Sequence, residues 1–514
     1  MQNGFWDKKE SVIYRFLNRA LWIISCVTIF CVLGLNMIYT SEVAYSKEEH
    51  VSIPYAGISS ILMLALILIL VVFLAQFQNR LEKINEKRLF LSLTVVYVLA
   101  ACYFIFNVDT KLRADAEYVF LAAQNILKGD YSDLKKGAYL YRFPYQTGIV
   151  FYDSLILMLG GNTAANFVLN LLFILGINYT YYRMADKIFE NKVVSVLTIL
   201  ISFLFLPQFF FILFAYGLIP GFFFLSTAFY HGICFAKSKS KKNLLVMVAA
   251  SAIAVVMKQN NLIGVLAIII YLILETLRSE QKGILLAAIV LLAASLVLPG
   301  KWMVSYYENK TGAELNQGTP SVLWIAMGTD IDNEAGSGGW WDGSNYTLYD
   351  EADHNSELAK QMGTEKLKQN LLKIQERPMD AIRFLKNKIT SQWCDPLYQS
   401  IWSGPLKDSG QNVYSPVLES FYTGGTAENM AAMFSKFISL TIVLGMLLYL
   451  LMFAKAGKGW EVSLLFCIGG FLFHIIWEGK SQYIYPYIFA QIPFAACAVY
   501  KTAALVRTKM KKHP

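Results

Sequence analysis

The chain has little charge, few cysteines and few histidines, and each shortage excludes a class of protein. Only 16% of its 514 residues are charged, well below the roughly 25% of soluble domains. Its seven cysteines form no CxxC pair, so neither a disulfide framework nor a zinc ribbon is indicated. Five scattered histidines offer no zinc-binding cluster. What remains is a chain that is 56% hydrophobic, which favours a membrane protein.

Apolar runs long enough to cross a bilayer recur along the chain. A helix needs about 20 apolar residues to span the hydrocarbon core, and the sequence predicts about twelve such spans. They are 20–40, 54–77, 89–107, 164–183, 191–206, 212–234, 244–257, 261–277, 283–299, 433–454, 460–477 and 482–503. We therefore predict an all-α integral protein of the cell membrane, in contact with the lipid bilayer.

The net charge is +9, and the Lys and Arg residues lie between the spans and at the chain ends. This distribution does not indicate nucleic-acid binding. Loops rich in Lys and Arg face the cytoplasm. The basic segments are the N-terminus, 80–88, 237–242, 455–458 and 507–512. This pattern predicts that both termini are cytoplasmic and that two polar segments, 108–163 and 300–432, lie outside.

These assignments divide the chain into five regions. They are N-terminal membrane helices (1–107), a first external loop (108–163), central membrane helices (164–299), an external cap domain (300–432), and C-terminal membrane helices with a basic tail (433–514). With the flanking spans oriented this way, the apolar stretch 145–161 cannot cross the membrane unless another span is dropped, although it is long enough to be a short span. We predict that it lies in, or dips into, the outer leaflet.

The cap is predicted to begin after Pro299-Gly300 and to contain two helices. They run from Asp353 to about Glu376 and over about 379–391, and Arg377-Pro378 separates them because proline disfavours helix in the residue before it. The pair Trp340-Trp341 could stack on a sugar ring or anchor the cap at the membrane interface.

Three carboxylates after the third span are the candidate catalytic residues. Asp109, Asp115 and Glu117 stand beside a bilayer surface, where a carboxylate can deprotonate an acceptor hydroxyl. The apolar stripe that follows predicts a helix, on which Asp115 and Glu117 point about 200° apart. Asp115 starts the membrane-facing stripe, so we select it as the base. The alternative is a solvated loop in which Lys111 and Arg113 pair with these carboxylates.

Three further loops carry candidate substrate-binding residues. They are Arg142, Tyr145 and Gln146 before the outer-leaflet helix, Lys258 and Asn260 between two spans, and Glu478, Lys480 and Tyr483 before the last span. Lys258 is a candidate phosphate ligand because cations are least expected on the outer face. Its alternative is a snorkelling lysine. For the other two loops the alternatives are interfacial aromatic-belt residues and a short charged loop.

These loops resemble those of a known class of enzyme. The run Ala114-Asp115-Ala-Glu117-Tyr118, followed by Tyr145-Gln146 and Gly148, is similar to the first external loop of GT-C glycosyltransferases. It looks closest to the protein mannosyltransferase-like and aminoarabinose transferase-like enzymes of glycosyltransferase family 39. Lys258-Gln-Asn260 and Glu478…Gln482-Tyr483…Pro486 fit the same group, with Gln482 where an arginine is usual.

The resemblance implies a GT-C-like bundle with juxtamembrane helices in the first loop. It also implies transfer of a sugar from a polyprenyl-phosphate carrier to an extracytoplasmic acceptor, with Asp115 as the catalytic aspartate. The departure at Gln482 leaves the carrier phosphate to Lys258, Arg142 and Lys480. The resemblance implies no particular cofactor, and a divalent metal held between Asp109 and Asp115 stays open.

Two other classes of function remain open from the sequence. A secondary transporter or lipid-linked sugar flippase would also have about twelve spans, but transporters place coupling residues near the midplane of the membrane. The charges here are concentrated at the outer surface instead. A non-catalytic assembly or export partner would retain its activity when Asp115 is replaced by asparagine.

Overall fold

The computed structural model describes residues 11–44, 46, 49–315, 318–333, 337–455, 457 and 459–512. In this part of the chain the helices are α1 (Val12–Ile38), α2 (Ile58–Leu81), α3 (Glu86–Phe106), α4 (Ala114–Leu127), α5 (Tyr139–Arg142), α6 (Thr147–Met158), α7 (Thr163–Phe189), α8 (Lys192–Leu204), α9 (Leu206–Phe210), α10 (Leu218–Ser238), α11 (Lys241–Met257), α12 (Leu262–Thr276), α13 (Lys282–Thr311), α14 (Ser321–Thr329), α15 (Ser344–Glu351), α16 (Ser356–Glu376), α17 (Pro378–Trp393), α18 (Pro416–Glu419), α19 (Thr426–Leu448), α20 (Trp460–Ile476), α21 (Tyr485–Phe489) and α22 (Ile492–Lys512).

Shorter elements connect these helices. A two-stranded antiparallel hairpin, β1 (Glu42–Val43) with β2 (Val51–Ser52), follows α1, and Glu42 pairs with Ser52. A π-helical turn (Tyr449–Phe453) extends α19. The 3-10 turns are Ser132–Leu134, Pro144–Gln146, Phe211–Leu213, Gln259–Asn261, Lys407–Ser409 and Ser481–Tyr483.

The all-α, multi-pass character predicted from the sequence is confirmed. Among the described residues, eight helices are long and apolar enough to cross a membrane, or up to ten if each of two bent pairs is one span. One bent pair is α8 with α9 and the 3-10 turn after it (51°), and the other is α21 and the 3-10 turn before it with α22 (52°). The other two predicted spans are α11 and α20. Each has only 17 residues and is about 26 Å long, short of the roughly 30 Å hydrocarbon core.

One continuous apolar core joins the membrane helices from α1 to α22. Helix α22 packs against α2, α8 and α19, while α12 packs against α20 and α13. The ends of α1, α12 and α20 meet on one side of the bundle, where Asn18 of α1 donates to Glu461 of α20 (3.5 Å) and Arg278, just after α12, lies 5.6 Å from the ring centre of Tyr14 in α1. The opposite ends of these helices therefore share the other side of the bundle.

Two predicted helix boundaries are wrong. Helix α13 does not stop at Pro299 but continues to Thr311. A proline inside a helix removes one hydrogen bond, and the burial of Met303 and Tyr307 beyond it, in a second core with α4 and α6, offsets that loss. The span predicted at 212–234 begins only at Leu218, because Gly217 has a positive φ of +75° and is the N-cap residue of α10.

The first loop predicted to be external (108–163) forms a layer made of α4 and α6. Buried residues Ala116, Val119 and Ala123 face α6, and the helix ends before Gly129, whose φ is +82°. Helix α6 has 12 residues and spans about 18 Å, too little to cross a bilayer. This length agrees with the prediction that the stretch lies in or dips into the leaflet.

The segment 312–425 contains α14 to α18, and we call it the outer segment after its predicted location. Asn355 caps α16 by accepting from the N–H groups of Glu357 and Leu358, and Arg377 separates α16 from α17 as predicted. A small core of its own is formed by Leu323, Tyr349, Ala352 and Ala359. The part after α17 instead shares the main core of the membrane helices, through residues such as Trp393, Tyr398 and Tyr422. The outer segment is therefore packed onto the bundle at its C-terminal part.

The two tryptophans considered for sugar stacking differ in environment. Trp340 is fully buried and its indole N–H donates to Ser391 Oγ (2.9 Å). Trp341 is 43% exposed and donates to Asn345 Oδ1 (3.1 Å). Only Trp341 could contact a ligand or a membrane surface.

Candidate functional site

Asp115 lies in the first turn of α4, beside a cavity of about 70 Å³. The cavity is lined, among others, by Asp109, Asp115, Tyr216, Trp402, Gln411 and Lys480. Ala114, immediately before Asp115, has a φ of +53°, a conformation that residues other than glycine rarely adopt. Such strain is concentrated at functional sites. Here it lies at the residue directly before Asp115 and has a cost in stability.

The two other candidate catalytic carboxylates occupy different surroundings. Asp109 lines the same cavity, and its carboxylate accepts from the N–H of Lys111 (3.1 Å). Glu117 is exposed to solvent, as expected for a residue two positions from Asp115 on a helix. In the described part of the chain, no three potential metal ligands of the His, Cys, Asp or Glu type come together. A metal between Asp109 and Asp115 would therefore need further ligands from water or from a substrate.

The turn that carries Lys258 is seated against three glycines. A Cβ on Gly148 would clash with the carbonyl oxygen of Val256, and one on Gly217 with that of Met257. A Cβ on Gly221 would clash with Asn261 Nδ2. Glycine permits this close backbone approach, so α6 and α10 together fix the position of the lysine.

Lys258 faces the aromatic side of the site. Its Nζ lies 4.1 Å from the ring centre of Tyr216 and 5.7 Å from that of Tyr483, and it makes no ion pair within the described residues. Burial lowers its pKa to about 8, while the nearby charge of Asp115 acts in the opposite direction. Asn260 Nδ2, two residues further on, is buried without a hydrogen-bond partner among the described residues. Both groups could donate to an anion.

Lys480 lies between two carboxylates. Its Nζ is 2.9 Å from Glu49 Oε1 and 3.8 Å from Glu478 Oε1. Burial acts to lower the pKa of Lys480, but Glu49 and Glu478 raise it above its usual range. Burial raises the pKa of Glu478 to about 7, against the effect of Lys480. Asp115 contributes electrostatically to both groups, so all these charges belong to one site.

A set of tyrosines surrounds Asp115. Burial, and then the charge of Asp115, raise the pKa values of Tyr139, Tyr145, Tyr216 and Tyr346. The Gln146 amide donates to Tyr216 Oη, which lies 3.3 Å from Tyr139 Oη. Tyr145 is 40% exposed although the protein surrounds it closely enough to raise its pKa. It therefore lines an opening in the protein, where its ring could pack against a ligand.

Arg142 is already engaged by the protein. Its guanidinium pairs with Asp350 (2.6 Å), donates to the Gly137 carbonyl oxygen (2.9 Å), and lies 5.2 Å from the ring centre of Tyr346. Asp350 also contacts His354 (2.9 Å). These contacts join the first loop to α15 of the outer segment, so Arg142 is less available to a phosphate than Lys258.

The structure brings most of the predicted site together, and it adds residues that the sequence did not single out. Asp115, Tyr145, Gln146, Lys258, Glu478, Lys480 and Tyr483 converge on one region, whereas Glu117 is exposed. The additional residues are Glu49, Tyr216, Tyr346 and Gln399. An acidic residue in the loop between the first two predicted spans was the available signal for Glu49, and the helix-breaking Tyr216-Gly217 was the signal for Tyr216.

The fold and this site define a helical, multi-pass membrane protein with a charged, tyrosine-lined site at one end of its helices. Comparison with known proteins finds no matching family model, no curated relative and no solved structure that matches.

Proposed function

We propose that this protein is a GT-C-type glycosyltransferase that moves a sugar from a polyprenyl-phosphate carrier to an extracytoplasmic acceptor. One observation carries the proposal. Tyr216 lines the cavity beside Asp115, and Lys258 Nζ lies 4.1 Å from the centre of the same ring. A carboxylate able to accept a proton and a cation able to hold a phosphate therefore flank one aromatic residue.

Each group has a defined role in the proposed reaction. Asp115 accepts the proton of the acceptor hydroxyl, and the acceptor oxygen forms a bond to the anomeric carbon of the sugar. The bond between that carbon and the phosphate oxygen breaks, and its electron pair remains on the phosphate. Lys258 stabilises the departing phosphate as a point charge. Tyr145 and Tyr346 supply aromatic surface on which the sugar can pack.

The proposal includes the membrane arrangement that such a reaction needs. About twelve spans would place both termini in the cytoplasm and the site at the outer face of the cell membrane. Two features support this orientation. The basic residue Arg507 lies beside Asn79 (2.9 Å) at the end of α2, and Arg278 lies beside Glu275 at the end of α12. Asp115 and Lys258 instead follow the C-terminal ends of α3 and α11, which lie on the other side of the bundle from Arg507 and Arg278.

A transfer assay with labelled polyprenyl-phosphate sugars tests the proposal. Membranes containing the wild-type protein should transfer the sugar, and Asp115→Asn should reduce the rate by about 10²- to 10⁴-fold, the usual contribution of a general base. Glu117→Gln is the matched comparison, because this exposed carboxylate lies on the same helix, and its rate should remain near wild type.

Two outcomes would contradict the assignment. Transfer that survives Asp115→Asn would remove the proposed base. Wild-type vesicles that move the lipid-linked sugar across the bilayer without transferring it would instead identify a flippase.

A further inference from the structure

Lys480 lines the same cavity as Asp115, so its charge could in principle bind the phosphate of the carrier. Its contacts argue against that role. Glu49 and Glu478 both lie within ion-pair distance of Nζ, at 2.9 and 3.8 Å. A phosphate approaching Lys480 would meet two negative charges together with the lysine. Lys258, in contrast, makes no ion pair in the described part of the chain.

Glu49 is held against Lys480 by a turn of the outer segment. Gln399 donates its amide N–H to Glu49 Oε1 (3.2 Å), and its amide oxygen accepts from the N–H of Gln482 (3.3 Å). Gln399 therefore joins the loop between α1 and α2 to the loop before α21. Both contacts are largely enclosed, since Gln399 is 2% exposed.

The turn that presents Gln399 is strained and braced. Tyr398 and Gln399 have φ values of +50° and +54°, which cost free energy for residues other than glycine. The carboxylate of Asp395 accepts from the N–H groups of Leu397 (2.9 Å) and Gln399 (2.8 Å), and from Ser481 Oγ (2.6 Å). A buried carboxylate keeps this strained turn in place. We therefore expect the position of Gln399 to be important, because Gln399 holds Glu49 against Lys480.

We infer that Glu49 is a positioning residue that commits Lys480 to the two carboxylates, so that the carrier phosphate binds at Lys258 and not at Lys480. This inference rests on the proposed function for the identity of the phosphate. It assigns different roles to the two lysines of the site. Lys258 binds the phosphate, and Lys480 holds Glu478 in place.

Equilibrium binding of a short-chain polyprenyl phosphate to the purified protein in nanodiscs tests the inference without requiring transfer. Lys258→Gln should weaken binding at least tenfold, and Lys480→Gln should change it by less than about twofold. Glu49→Gln should tighten binding about tenfold, because the charge of Lys480 then becomes available to the phosphate. Tighter binding is a gain that damage to the fold would not produce.

Glu42→Gln is the matched control, since it makes the same charge change in the same loop at an exposed position. Its binding should equal that of the wild type. If Glu49→Gln does not fold, the comparison of Lys480→Gln with Lys258→Gln still tests which of the two lysines binds the phosphate. Equal weakening by these two variants, or unchanged binding in a folded Glu49→Gln protein, would overturn the inference. Wild-type protein that binds the phosphate but transfers no sugar would contradict the proposed function alone.

Discussion

At the scale of the residue, the surroundings of a side chain decide which of its chemical properties is used. Lys258 and Lys480 have the same side chain and lie at one site. Burial without an ion pair lowers the pKa of Lys258, whereas Glu49 and Glu478 keep Lys480 charged and occupied. Asp115 is likewise distinguished from Glu117 by the direction in which α4 points each side chain.

The proposed role of Lys258 predicts a limit to activity at alkaline pH. With a pKa of about 8, Lys258 is charged below that pH and loses its charge as the pH rises through it. The transfer rate should therefore fall above pH about 8. Lys258→Arg should keep the phosphate site charged and extend activity to higher pH, because arginine stays protonated. Profiles of kcat/KM from pH 6 to 10 measure the change. A decrease over the same alkaline pH range in the wild type and in Lys258→Arg would contradict the proposed role of Lys258.

The strained residue before Asp115 predicts a gain in stability on substitution. Ala114→Gly should raise the free energy of unfolding by about 0.4–1 kcal/mol, because glycine adopts the positive φ without strain. Thermal unfolding in detergent measures the change. Ala123→Gly, at a buried position inside the same helix, should instead lower stability by about 0.5–1 kcal/mol or more. Equal effects would show that Ala114 is not strained.

At the scale of the element, breaks in the helices bring the site residues together. Lys258 follows the end of α11, Glu478 follows α20, and Tyr216 precedes α10. A polar side chain at a helix end can face a cavity without being placed in lipid. Close packing of α6 and α10 against the turn at 256–258 then sets the position of Lys258.

Substitution of Gly221 tests this packing. Gly221→Ala would place a Cβ against Asn261 Nδ2 and near Lys258, so the Asn261 amide, which donates to the Ala254 carbonyl oxygen, or the turn itself must shift. A displacement of about 1 Å can cost about 100-fold in rate, and we expect a loss of 10- to 100-fold in transfer. Gly232→Ala in the same helix is the control, because its nearest neighbours lie at 3.4 Å. A Gly221→Ala protein as active as this control would rule out the packing argument.

At the scale of the whole molecule, the outer segment and the first loop are joined by ion pairs beside the site. Arg142 and Lys136 of the first loop pair with Asp350 (2.6 Å) and Asp353 (2.7 Å) of the outer segment. Thr319 also donates its N–H to the Arg142 carbonyl oxygen (2.8 Å). The outer segment therefore helps to hold the loop that carries Tyr145 and Gln146.

Removal of the Asp350 carboxylate, which contacts Arg142 and also His354, should loosen the junction. Asp350→Asn should speed amide hydrogen exchange over 344–357 by about fivefold, equivalent to the roughly 1 kcal/mol of a partly exposed ion pair. Exchange in α10 should not change. Asp380→Asn, which removes an exposed pair with Arg383 inside α17, is the control and should leave exchange over 344–357 as in the wild type. No difference between the two variants would show that the ion pair does not hold the junction.

The sequence by itself determined the helical, membrane-spanning class of this protein and most of its helix positions. Long apolar runs have few other stable structures, because backbone polar groups in lipid must be satisfied within a helix. It also indicated Asp115, Lys258 and Glu478, since charges at membrane boundaries stand out against apolar surroundings. The continuation of α13 past Pro299 was missed because packing against α4 and α6 outweighs a local helix-breaking signal.

Only the tertiary structure decided which of these groups meet and what each contacts. Glu49 is separated from Lys480 by more than 400 positions in the chain, and their 2.9 Å contact depends on how α1, α17 and α20 pack. Arg142 looked available in the sequence, but Asp350 engages it across the junction with the outer segment. Ion pairs of this kind depend on distances in space, which hydrophobic periodicity along the chain does not encode.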